Sequence, residues 1–256
     1  MTARMELRNI SRRFGGLQAV ADVSFSLQQG EILGVIGPNG AGKTTLFNLI
    51  AGIHRPSGGQ VFYDGADVTG KSSDAIARLG MARTFQAVHA FKAETVRENL
   101  RRAGVLRRSH DPLAHLRHWL RREADGLAAE AEAVAAFTGL SAVVDNRAGG
   151  LSYGQQKILG IGMAMMQLPQ LVLMDEPAAG LNPSEKQLVA ELIRRMRDER
   201  QMEVLVVEHD MRLIIGICDR ILVINQGRPI AIGTPAVIQA DPSVIDAYLG
   251  VDYEFA

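Results

Sequence analysis

The 256 residues contain a single cysteine, Cys218, so no internal disulfide is available. It sits among Ile214, Ile215 and Ile217 and reads as a small buried hydrophobe rather than a reactive thiol. Such sparing use of cysteine fits a reducing compartment. Neither sign of charge prevails, with 28 Lys and Arg against 28 Asp and Glu. That balance argues against a chain built to grip nucleic acid by neutralising phosphates. Long apolar runs are also missing. The longest, 159–168, falls short of the roughly 20 residues a spanning helix needs and runs into Pro169. The opening MTARMELRNISRRF has no apolar centre of the kind a secretory signal requires. Together these absences predict a cytoplasmic chain that reaches a membrane only by docking on other proteins. No long repeat or low-complexity tract interrupts it. With 47% hydrophobic and 22% charged residues, the length suits one sizeable core, or a core with a smaller lobe.

Short apolar runs at 31–36, 171–174, 204–207 and 221–224 lack polar alternation and are rich in branched residues. Each suits a strand buried on both faces. Helical segments over about 43–51, 184–200 and 211–218 separate them, an alternation that predicts a parallel sheet with right-handed crossovers. The N-terminal part differs. MELRNISRRF, 19–27 and 60–63 alternate and are joined by turns at Gln29-Gly30, Ser57-Gly58-Gly59 and Asp64-Gly65, which predicts a small antiparallel layer. From about 91 to 159 the composition turns to Ala, Arg, Leu and Glu, so a helical lobe inserted into the α/β core is expected. Its first part carries Arg97, Arg101, Arg102, Arg107, Arg108, Arg117, Arg121 and Arg122. These make a solvated helix face or a surface toward anionic headgroups or a partner.

The strongest chemical signal is Gly37-Pro38-Asn39-Gly40-Ala41-Gly42-Lys43-Thr44-Thr45. It fits G-x-x-x-x-G-K-[ST] between a predicted strand and a predicted helix. Glycines let backbone approach phosphates closely, and the helix start turns unpaired N–H groups toward the anion. Lys43 brings a mobile charge for the β and γ phosphates, and the Thr44 hydroxyl can ligate Mg²⁺. A second signal is LVLM followed by Asp175-Glu176, two carboxylates at the ligand-binding end of a strand. Asp175 suits Mg²⁺, and Glu176 suits polarisation of an attacking water. The plainer alternative is a pair of acids capping the next helix.

The third signal, Leu151-Ser152-Tyr153-Gly154-Gln155-Gln156, resembles the LSGGQ signature of ABC ATPases, with Tyr153 in place of the first glycine. The resemblance spans essentially the whole chain. It implies a P-loop NTPase (RecA-like) core with an antiparallel β layer and an inserted α-helical subdomain. A single nucleotide-binding domain over 1–256 would divide into a core of 1–90 and 159–256 and a helical part of about 91–158. The resemblance also implies that Ser152, Gly154 and Gln155 contact ATP held by a second subunit in a head-to-tail pair. Phe14 falls where an aromatic stacks on adenine, although an ordinary packed phenylalanine remains open. Gln86, after Arg83-Thr84-Phe85, falls at the glutamine that touches Mg²⁺ or water. His209 falls at the histidine that senses the γ-phosphate. Ala179-Gly180-Leu181-Asn182 falls at the D-loop, where Asn182 replaces the usual aspartate and puts any contact needing a carboxylate in doubt.

FGGLQAV, LSYGQQ, EPAAGLNPSE, VEHDM and GTPAVIQADPSVIDAYLG are together similar to the LivG-type ATPases of branched-chain amino acid importers. That similarity implies an ATPase on the cytoplasmic face of the cell membrane, bound to two permease subunits and indirectly to a solute-binding protein. ATP and Mg²⁺ are the expected cofactors. Other solutes (amides, urea) and export or lipid extraction share these motifs. A ribosomal ABC ATPase would resemble two cassettes in tandem, a chromosome ATPase would carry a long coiled coil, and a scaffold without turnover would not need Glu176 and His209.

Overall fold

The computed structural model describes residues 3–84, 90–108 and 122–249. Five parallel strands form most of a six-stranded sheet in the order β10-β9-β3-β8-β7-β6. β3 is Ile32–Ile36, β6 Met81–Arg83, β7 Leu171–Asp175, β8 Glu203–Val207, β9 Arg220–Asn225 and β10 Arg228–Gly233, the last of which pairs antiparallel with β9. The smaller sheet is antiparallel, in the order β2-β1-β4-β5. It is built from β1 (Ala3–Phe14), β2 (Leu17–Gln28), β4 (Gly58–Tyr63) and β5 (Ala66–Asp67).

The period of a strand explains how one sheet serves two cores. Leu33, Val35, Leu171, Leu173, Leu205, Val207, Leu222 and Ile224 face the antiparallel layer and helix α1, Lys43–Ile50. Their neighbours Ile32, Ile36, Val172, Met174, Val204, Val206, Ile221 and Val223 face the other way, into the core shared with the helices. With both faces covered, no alternation of polar residues is possible, which is why these segments read as continuous apolar runs. Gly34 marks a close approach. A Cβ there would lie 2.9 Å from the Cys218 sulfur and 3.2 Å from Ile214, so helix α7 (Met211–Ile217) rests directly on β3. Cys218 is buried at that contact, and burial pushes its thiol pKa up, in line with the unreactive reading.

The remaining helices are α2 (Ser73–Arg78), α3 (Val96–Arg108), α4 (Arg122–Phe137), α5 (Tyr153–Met165), α6 (Pro183–Arg200), α8 (Pro235–Ala240) and α9 (Pro242–Leu249). The segment expected to be helical contains α3, α4 and the start of α5, and its buried Val96, Leu100, Leu127 and Ala131 join the same core as β7 and β8. Among the described residues no helix is long and apolar enough to cross a membrane.

Two of the arginines in the basic cluster are neutralised locally. Arg97 pairs with Glu132 and, at 3.0 Å, with Asp145. Arg102 pairs with Glu94 and stacks on the Phe91 ring at 4.9 Å. These contacts support the solvated-face reading for that part. Arg117 and Arg121 lie outside the described residues, as does Gln86.

Candidate functional site

β3 ends at Ile36, and the chain then folds over itself through Gly37–Gly42 into α1. Two glycines are forced by packing rather than by a ligand. A Cβ on Gly37 would stand 2.1 Å from the Ile224 carbonyl oxygen, and one on Gly42, whose φ is +99°, would stand 2.4 Å from that of Ala19. Gly40 differs: its φ is +79° and a Cβ would meet nothing within 4 Å. Its backbone is therefore bare toward the cavity. The β9–β10 turn clamps the loop from behind, through the Gly227 N–H donating to the Ala41 carbonyl at 2.9 Å.

The cavity beside this loop has a volume of about 490 Å³ and is lined by Asn39–Thr45 and Glu176, with Leu17, Ala19 and Gln226 at its sides. Lys43 donates from Nζ to the carbonyls of Gly37 at 2.6 Å and Pro38 at 3.0 Å. Burial pulls its pKa down, and the charge of Glu176 opposes that shift. The lysine is thus held along the loop, with its ammonium solvated by backbone oxygens that a phosphate could replace.

β7 carries Asp175 and Glu176 to the same end of the sheet. Asp175 is nearly buried, which pushes its carboxyl pKa up. The Arg83 guanidinium at 3.1 Å works against that shift. Arg83 is fixed in turn by Asn48 of α1 at 2.7 Å and by the Phe47 ring at 4.7 Å. At Glu176 the chain turns out of the sheet in a left-handed conformation, φ +47°. Its Oε1 lies 3.8 Å from Nδ1 of His209, whose side chain is half exposed. Next to that histidine, Glu208 is 1% exposed. It accepts the N–H of Ala178 at 2.8 Å and of His209 at 3.1 Å. Burial raises its pKa and these N–H groups oppose the rise.

Ser152 caps α5 in a reciprocal box with Gln155, the local reason this helix starts here. Ser152, Gly154 and Gln155 are not among the residues lining the phosphate-loop cavity. Gly154 faces Glu185, whose carboxylate oxygen would be 2.5 Å from a Cβ at that position. Phe14 is likewise outside the lining. Its ring lies under the Arg12 guanidinium at 4.5 Å and meets His54 edge-on at 5.5 Å. Its cross-strand partner Leu17 does line the cavity.

Asn182 caps α6, accepting from the Glu185 N–H at 3.0 Å and the Ser184 hydroxyl at 2.7 Å. A carboxylate would accept the same bonds, so the cap itself does not distinguish Asn from Asp. Asn182→Ala is expected to lower stability by about 1 kcal/mol and Asn182→Asp by little. Urea denaturation monitored by circular dichroism checks both, and equal losses would remove the cap from the account.

Arg83, Glu208 and Lys157 are polar groups of this site that the sequence reading did not single out. Glu208 stood within VEHDM. Lys157 on α5 carried no signal, because its meaning lies in what it touches. For Mg²⁺ the donor chemistry fits. Among the described residues no group of three or more His, Cys, Asp or Glu could hold a metal. The exposed Thr44 hydroxyl and the Asp175 carboxylate are the modest protein contribution expected for an ion carried mainly by phosphates and water.

The chain is similar to known proteins along most of its length. A family model described as "ABC transporter" matches residues 20–179. One described as "Branched-chain amino acid ATP-binding cassette transporter" matches residues 228–254. The high-affinity branched-chain amino acid transport ATP-binding protein BraF of Pseudomonas aeruginosa is 42% identical, over 96% of this chain and 97% of its own. LivG of Escherichia coli, with the same description, matches at the same identity and coverage. The crystal structure of an ATP-binding cassette of an ABC transporter in its ADP conformation superposes with a TM-score of 0.86 at 32% identity, covering 98% of this chain and 100% of that one.

Proposed function

The chain belongs to the ABC transporter family of ATP-binding, ATP-hydrolysing cassettes, and from that premise we propose that it drives the import of branched-chain or related hydrophobic amino acids. The C-terminal match at 228–254 and the relatives BraF and LivG support that solute class over export.

One observation carries the mechanism: the phosphate loop and Glu176 line one cavity, whereas Ser152, Gly154 and Gln155 do not. Each chain then supplies half of two composite sites. Two cassettes pair head to tail, the second being identical or related, with ATP between the loop of one and the signature of the other. Glycine-loop N–H groups and the start of α1 bind the phosphates. Lys43 exchanges its carbonyl partners for phosphate oxygens. Thr44 and Asp175, with Gln86, would hold Mg²⁺, which when bound neutralises charge between the β and γ phosphates.

Glu176 polarises water for in-line attack on the γ phosphorus. The bond to the ADP oxygen breaks, giving ADP and phosphate, while Glu176 takes up the proton of the attacking water. His209, beside Glu176, senses the γ-phosphate, and Phe14 and Leu17 border the adenine side. Bound ATP favours the closed pair because both chains contact it, and hydrolysis removes that bridge. The helical part and the Gln86 segment carry closure to two permease subunits on the cytoplasmic face of the membrane, with a solute-binding protein beyond.

Proteoliposomes containing the chain, its co-purifying membrane subunits and the cognate binding protein are expected to accumulate leucine, isoleucine and valine only with ATP inside. Accumulation of urea or a short amide without leucine would move the solute assignment. Co-purification of no membrane protein from a mild-detergent extract would remove the transporter reading.

A further inference from the structure

Glu176 is a non-glycine residue held at φ +47°, a conformation that costs energy and persists only when its surroundings enforce it. Three hydrogen bonds hold its backbone: a local turn bond, in which its carbonyl accepts the Ala179 N–H at 3.2 Å, and two that reach it from opposite elements. Its N–H donates to the Val207 carbonyl of β8 at 2.9 Å. Its own carbonyl accepts from Nζ of Lys157 at 3.2 Å. Lys157 stands on α5, the helix capped by Ser152. A helix is rigid on this scale, so a shift of its first turn reaches Lys157.

Lys157 is 4% exposed, a depth at which an ammonium is costly unless charges and acceptors meet it. Glu208, Glu176 and Asp175 supply negative potential, which opposes the lowering of its pKa by burial. The Tyr153 ring centre lies 5.7 Å from its Nζ. That ring packs on Gly180 of the D-loop, where a Cβ would come within 3.0 Å of it. Glu208 joins the same group to Ala178 and His209 through their N–H groups. A single buried cation thus connects the signature helix to the backbone of the residue that polarises water.

We propose that Lys157 is a positioning residue that ties the backbone of Glu176 to the signature helix of its own chain, so that ATP engaging Ser152 and Gly154 from the opposite subunit aligns this chain's own hydrolytic carboxylate. The inference rests on the paired-cassette reading above. It supplies a path between the two composite sites that consists of one helix and one hydrogen bond. The physical requirement is modest: misplacing a catalytic group by about 1 Å costs on the order of 100-fold in rate.

The test uses the assembled transporter in liposomes, with Lys157→Met, which keeps an unbranched chain but cannot donate, and Lys157→Arg, which can. For Lys157→Met, kcat for ATP hydrolysis is expected to fall about 10–100-fold. The Kd for ATP should stay within about twofold, because the phosphate loop is untouched, and the Hill coefficient for ATP should fall toward one. Lys157→Arg should recover most of kcat and the cooperativity. If Lys157→Met does not fold, Lys157→Leu, which likewise cannot donate, takes its place in the same comparison.

Unchanged kcat would overturn the proposal. So would parallel losses of kcat, ATP affinity and melting temperature, which mark a purely structural lysine, or a failure of arginine to restore turnover. A wild-type transporter that does not hydrolyse ATP would defeat the functional reading itself. Normal wild-type turnover with an unaffected Lys157→Met variant would defeat this inference alone.

Discussion

Glu176→Gln is expected to reduce ATP turnover by about 10²–10⁴-fold while leaving ATP affinity near that of the wild type, the range a positioned general base contributes. The substitution keeps the size and hydrogen-bonding reach of the side chain but removes its ability to accept a proton. The backbone at Glu176 is held by Val207 and Lys157 through main-chain atoms, so it should survive the change. The phosphate loop is also untouched. Bound ATP therefore persists and the closed pair accumulates, visible as an ATP-dependent dimer by light scattering or size exclusion. Single-turnover phosphate release measures the rate. Turnover close to wild type would remove Glu176 from its role and leave Asp175 or His209 to be examined as the base.

Lys43→Ala should act on the other parameter, with ATP affinity falling at least about 10-fold and turnover falling with it. A hydrogen bond to a charged group contributes roughly 1.5–3 kcal/mol, and about 1.4 kcal/mol is a factor of ten in affinity. The fold should tolerate the loss. Lys43 is a largely buried cation whose partners are the Gly37 and Pro38 carbonyls of a turn closed by its own backbone, and removing it also removes the cost of burying its charge. Equilibrium titration with a fluorescent ATP analogue, with circular dichroism as the folding control, separates the two. Unchanged affinity in a folded variant would mean that the loop does not hold the phosphates.

Much of this was legible in the residues. The strands at 32–36, 171–175, 203–207 and 220–225 announced themselves as apolar runs because both sheet faces are covered, and the antiparallel layer announced itself by alternation and turns. The expected Ser57-Gly58-Gly59 turn was placed differently, because β4 already begins at Gly58, which pairs with Ser11, and Gly59 falls at a register shift within that strand. β6 and β10 gave no pattern. Met81–Arg83 is three residues long, too short for a period to show. β10 carries Pro229 and lies at a sheet edge with no residue buried, where proline is tolerated and continuous burial is not required.

The sequence by itself placed the candidates for the phosphate loop, the strand-end acids, the signature, the D-loop and the switch histidine. Each is a short contiguous segment whose chemistry depends on residue types at fixed local spacing. Tertiary structure alone decided that Arg83 meets Asp175 across 92 positions of sequence, that Gly227 clamps the loop, that Ser152 and Gly154 do not line the cavity of their own chain, and that Lys157 grips Glu176. The physical reason is the same in each case. These contacts are set by which sheet edge and helix face come together when two apolar cores close on one sheet, and spacing along the chain carries no record of that distance.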